Sequence, residues 1–271
     1  GMLYYKSVLT ANTNGSLAMN ADIKVKRSGG TTTQQDQVAE HPINYEEVSL
    51  YNPQNGFATF LIPAVLILII QQTLLLGVGM AAGTAREHNQ FRNLVPVERH
   101  HRGLLRIVLG KSGAYLLVYI PLSVYVLGVV PHLFHLNQIG NPWNIALFAT
   151  PFVIACILFS MTVSAFVRHR EMCIMLIVFT SVPLLFISGL SWPGSAVPDA
   201  WKAISYIFPS SFGINGFVAI NNMGAALSDV QHDWYMLWVQ AGIYLITTCA
   251  VYKASITRSR QRSIEQWRKS K

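Results

Sequence analysis

Charge is scarce in this chain: Asp, Glu, Lys and Arg make up 12% of its 271 residues, where a soluble globular domain carries about 25%. A chain of this length has enough residues to bury a core in water, but its apolar residues would then fall in short amphipathic pieces. Here they fall in blocks. Five windows, 57–82, 113–131, 144–167, 172–190 and 234–252, contain no Asp, Glu, Lys or Arg. Each is long enough to cross about 30 Å of hydrocarbon as a helix.

Cysteine is equally scarce. Cys156, Cys173 and Cys249 lie inside these windows, which argues against a disulfide framework or a thiolate metal site. His132 and His135 are spaced i, i+3 and His100 and His101 are adjacent, but neither pair has a carboxylate or cysteine nearby, so they read as interfacial histidines and not metal ligands. The run GLLRIVLGKS at 103–112 puts six residues between its glycines, whereas a P-loop has four and follows a strand. No nucleophile, base and orienting group occur together. Nucleotide binding, a cofactor and catalysis by this chain are therefore not expected. The windows also lack the ionisable residues by which proton- or ion-driven transporters relay their coupling ion; Gln71 and Gln72 are the most polar mid-window feature. Any transport here would draw its energy from outside the membrane.

The net charge of +8 does not point to nucleic acid, because the basic residues follow the windows. Six (Arg86, Arg92, Arg99, Arg102, Arg106, Lys111) lie between the first two, Arg168 and Arg170 lie between the third and fourth, and seven follow the fifth. The segment 132–143 has none and 191–233 has only Lys202. Positive charge resists translocation, so the rich segments and the basic tail 255–271 are expected in the cytosol and the poor ones outside.

Five spans with a cytosolic C-terminus place residues 1–56 outside. That segment has no apolar run of signal-peptide length, so a sixth, N-terminal span is expected upstream, with Gly1 ahead of Met2 read as a residue left by tag removal. Residues 1–56 read as the C-terminal part of a small α+β extracytoplasmic domain, with a helix over 3–10 and a strand near 47–51. The fold class expected is thus an all-α polytopic membrane protein, its permease domain at 57–254, carrying part of such a domain.

Three local patterns stand out. Gly79 and Gly83 form a G-x-x-x-G spacing suited to close helix packing. In 86–111, Phe91, Leu94 and Val95 share a face before Pro96; beyond it Arg99, Arg102 and Arg106 lie opposite Leu104, Ile107 and Val108. Two amphipathic helices along the inner surface are expected, serving either as an anchor to anionic membrane lipid or as a docking surface for a cytosolic partner. The segment 191–220 is too apolar for a solvated connection and is expected to re-enter the outer leaflet, with Trp192 at the interface and Pro193, Pro198 and Pro209 shaping it.

These residues resemble the permease subunits of type-2 ABC transporters over roughly 45–255. The most specific match is SGLSWPGSAVP at 188–198, with Gly189 ending the fifth span of the family pattern, followed by IFPSSFGINGF at 207–217, which contains Phe212. YNP at 51–53, Arg86-Glu87 and Gly110-Lys111 add to it; where the family has Gly-Thr after the glutamate, this chain has 88–91. The resemblance implies an ATP-driven exporter subunit in a bacterial inner membrane, paired with a second permease subunit and a cytosolic ABC ATPase that alone hydrolyses ATP. It implies an ATPase-coupling role for Glu87, Phe91, Leu94, Pro96 and Arg99, and places the exit end of the path at 191–220. A non-transporting membrane scaffold is the alternative, disfavoured because a scaffold needs neither a coupling segment nor a re-entrant loop.

Overall fold

The computed structural model describes residues 12, 15, 16, 19, 23, 57–88, 90, 103–136, 138–167, 169–187 and 198–269. The helix over 3–10 and the strand near 47–51 expected in the extracytoplasmic segment lie outside them. Among the described residues every regular element is helical.

α1 runs Phe57–Glu87. α2 runs Leu104–Leu133, regular over Leu104–Val124 and π-helical over Tyr125–Val129. α3 is Pro142–Val163, α4 Met172–Ile187, α5 Asp199–Ser205, α6 Pro209–Met223 and α7 Gln231–Lys269. α1, α2, α3 and the Gln231–Ser259 part of α7 are long and apolar enough to cross a bilayer; α4, at 16 residues, is a shorter apolar helix. α5 and α6 meet at 91° across a break of a few residues.

The second uncharged window thus begins too late. The pattern at 104–111 predicts a surface helix separate from the span, yet these residues are the first turns of α2 itself. Nothing between Leu104 and the window interrupts the backbone: Gly110 and Gly113 weaken a helix by about 1 kcal/mol each but do not end it, and Arg106 and Lys111 can snorkel from its basic end. Pro131 shapes the other end of α2. Lacking an N–H, it leaves the Leu127 carbonyl without its i+4 donor, and Gln138 Nε2 donates to that oxygen at 3.0 Å.

The core lies where α1, α3 and α6 meet, around Ile67, Ile70, Leu74, Phe148, Phe152 and Phe217, each at most 1% exposed. α1 and α3 are central, with 61% of their apolar windows buried, whereas α2 and α7 are peripheral at 17% and 22%. Their outer faces, such as Leu117, Val118, Val239 and Ile246, are exposed, as expected of helices bordering lipid. α3 and α7 are joined by hydroxyls: Thr162 Oγ1 lies 3.1 and 2.9 Å from those of Thr247 and Thr248.

Both members of the Gly79/Gly83 pair pack within the chain. A Cβ on Gly79 would stand 2.6 Å from Cys173 Sγ, and one on Gly83 2.8 Å from the backbone nitrogen of Arg170. Gly77, two residues away, faces open space. The sign of a glycine-to-alanine exchange should therefore invert along one helix. Gly77→Ala should be neutral or raise stability by up to about 1 kcal/mol from helix propensity, while Gly83→Ala, which must move backbone, should cost about 1–3 kcal/mol. Melting in detergent checks it; equal shifts for the two variants would mean that Gly83 is not at a close approach.

Candidate functional site

Two polar junctions interrupt the apolar bundle. The first is at the end where the basic residues collect. The turn that follows α3 presents carbonyls to the last turn of α1, and Arg86 donates to them. Its Nη1 donates to Ser164 O at 2.5 Å, to Ala165 O at 3.0 Å and to Val167 O, and Nη2 donates to Ser255 Oγ of α7 at 3.3 Å. A planar guanidinium with several fixed donors fits this task; a lysine ammonium does not. Glu87 Oε1 accepts the Arg170 N–H at 3.1 Å and stands 3.8 Å from His169 Nδ1. With Gly83 against the Arg170 backbone, three elements are fastened together: the end of α1, the turn 164–170 and α7. Nearby, Lys111 of α2 lies 5.3 Å from the Tyr252 ring centre of α7.

The second junction lies deep in the bundle, where α6 begins. Pro209 suits the first position of a helix and Gly224, at φ 68°, suits its end. The residue preceding the helix is Phe208, which has no side-chain oxygen to cap it. The acceptor comes from another helix: Gln71 Oε1 takes the Ser210 N–H at 2.7 Å and lies 3.8 Å from Cys156 Sγ. Gln71 is near the midpoint of α1, fourteen residues from Phe57 and sixteen from Glu87. The carbonyls of the bend before α6 are met from α7, where Gln240 Nε2 donates to Tyr206 O at 2.6 Å and the Tyr244 hydroxyl donates to Ile207 O. Around this junction Gln71 Nε2, Ser210 Oγ, Ser211 Oγ and Gln240 Oε1 are buried without a protein partner; Gln72, the next residue on α1, turns to α4, where its Nε2 donates to Thr180 Oγ1 at 3.4 Å.

From there α6 runs to the opposite end of the bundle, where Asn221 O accepts the N–H groups of Ile139 and Gly140 at 2.9 and 3.3 Å. Its flank is glycine. Cβ atoms on Gly213 and Gly216 would meet the rings of Phe152 and Phe148 of α3, so these aromatic rings lie directly on the α6 backbone.

Of the sequence-derived residues, Gly79, Gly83 and Glu87 gather at the first junction. Pro198 precedes α5, Pro209 opens α6, and Phe212 is buried on α6 with its ring stacked 5.4 Å from that of Tyr206. Phe91, Leu94, Pro96, Arg99, Gly189, Trp192 and Pro193 lie outside the described residues. The sequence pattern does not reveal Arg86 as the donor to the turn after α3, or Gln240 and Tyr244 as supports of the bend; the one signal for the last two is an amide and a phenol inside an uncharged window. Removing Arg86 takes a charged donor away from these carbonyls, and a hydrogen bond to a charged group is worth about 1.5–3 kcal/mol. Arg86→Met should therefore lower the melting temperature clearly, and Arg86→Lys should restore only part of the loss. Full restoration by lysine would reduce the junction to simple charge.

A model of the family described as "ABC-2 family transporter protein" matches residues 2–250. No significant match was found among curated proteins or among solved structures. The match spans nearly the whole chain, ending within α7 ahead of Ser255, and the chain belongs to the ABC-2 type transporter permease family, whose members are multi-pass membrane components of transporters.

Proposed function

We propose that this chain is the membrane-embedded subunit of an ATP-driven exporter, working with a cytosolic ABC ATPase and a second permease subunit in a bacterial inner membrane. The observation that carries the reading is the absence of Asp, Glu, Lys and Arg from five membrane-length windows in a chain of this family. With no charged relay at depth, the energy for transport comes from a partner, and ATP hydrolysis is that partner's chemistry.

The coupling segment is 86–111, with Glu87, Phe91, Leu94, Pro96 and Arg99 as its contact residues. Its start is anchored: Arg86 and Glu87 hold the 164–170 turn and α7, so a push on the segment reaches three spans at once. The basic residues mark this end as cytosolic, with the C-terminus on the same side. The bent pair α5–α6 is then re-entrant from the outside and forms the outer part of the path.

Two measurements test this. In the full-length protein, Phe91→Asp combined with Leu94→Asp should reduce ATPase recovery in a pull-down at least about tenfold, the factor given by 1.4 kcal/mol, while membrane insertion stays normal; undiminished recovery would return the segment to a lipid anchor. Reporters fused after Arg86 or Lys271 should give a cytosolic signal, and those after Asn137 or Asp229 an external one.

A further inference from the structure

The two ends of α6 are held in different ways. Its far end is tied by backbone, where Asn221 O accepts the N–H groups of Ile139 and Gly140. Its near end is held by side chains: Gln71 on the Ser210 N–H, Gln240 on Tyr206 O and Tyr244 on Ile207 O. Each of these three bonds can be exchanged for one to water without unwinding any helix, since none belongs to a backbone ladder.

The same near end concentrates unmet hydrogen-bonding capacity. Gln71 and Ser210 are 0% exposed, Ser211 5% and Gln240 7%, and one polar atom of each has no partner in the protein. Of the seven such atoms among the described residues, four are here. Buried polar groups are normally paired, and a cluster left unpaired in an apolar bundle raises the free energy of the arrangement that buries it. The donors of Gln71 and of the α6 N-terminus, whose dipole is positive, and the acceptor of Gln240 would all be satisfied if the seam were wet.

We propose that the seam between α1 and the N-terminal end of α6 is a closed hydrophilic site that opens to water. Gln71, Ser210, Ser211 and Gln240 line the opening. This rests on the transporter reading only for what drives the opening; the seam itself follows from the placement of polar atoms.

The chain carries its own reporter, Cys156, whose thiol abuts Gln71 and is 0% exposed. The full-length protein, with Cys173→Ala and Cys249→Ala, would be placed in liposomes and treated with a charged, water-borne methanethiosulfonate reagent. The control is Ile157→Cys in a chain that carries alanine at all three native cysteines, since Ile157 is the next residue on α3, is 1% exposed and is apolar. Cys156 should react at least tenfold faster than the control. Ser211→Cys, in a background without native cysteine, gives a second reading at the α6 side if the first variant folds poorly. Both rates would be taken for the chain alone and with its cognate ATPase, with and without ATP. Faster reaction of the seam thiols in any of these conditions supports the opening. Reaction that ATP does not change supports the seam while counting against ATP as its drive. Seam thiols as protected as the control in every condition overturn the proposal.

Discussion

In hydrocarbon a backbone N–H or C=O cannot turn to water, and each one left unpaired costs several kcal/mol. Straight helices meet this rule without help. The break between α5 and α6 does not, and the bundle is organised around the side chains that meet it. Gln71 supplies the acceptor that Phe208 lacks, and Gln240 and Tyr244 supply donors for Tyr206 O and Ile207 O. α1 and α7 therefore carry amide and phenol groups where their neighbours are aliphatic. The end of α2 follows the same rule, since Gln138 reaches back to the carbonyl that Pro131 leaves without a donor.

Close packing follows from where the backbone must approach. Without a hydrophobic force between helices inside lipid, association relies on dispersion and on small residues. Gly213 and Gly216 admit Phe152 and Phe148 of α3 onto the α6 backbone, and Gly83 admits the Arg170 backbone onto α1. Each glycine weakens its own helix by roughly 1 kcal/mol, and the dispersion attraction across the closer approach offsets that loss. α6 is consequently buried nearly all round, although four of its buried residues are Ser or Asn.

The two junctions sit at different depths of the bundle. At the basic end, Arg86 and Glu87 fasten α1, the turn after α3 and α7 into one piece. Half the length of α1 away, the start of α6 rests on side chains that can change partners. α1 runs through both, with Gln71 and Arg86 fifteen residues apart, or about 22 Å at 1.5 Å per residue.

Membrane residence is legible in the sequence, because uncharged runs of membrane length have few alternatives in water, but the fourth of the five windows gives a helix of only 16 residues, so the span count is not. The alternation of basic and neutral connections is legible too, as charge against the bilayer is a one-dimensional property. Gly79, Gly83 and Gln71 can be singled out by type, but their partners cannot. What a small or amide side chain meets depends on which helix lies opposite, and Cys173, Arg170 and Ser210 are far from them along the chain. The start of α2 at Leu104 escapes the sequence for a related reason, since amphipathic spacing looks the same in a surface helix and in the first turns of a span. Arg86 counts in the sequence only as one of six positive charges. That its guanidinium binds the carbonyls of the turn after α3 was decided by tertiary structure alone, which brings that turn and the last turn of α1 to the same place.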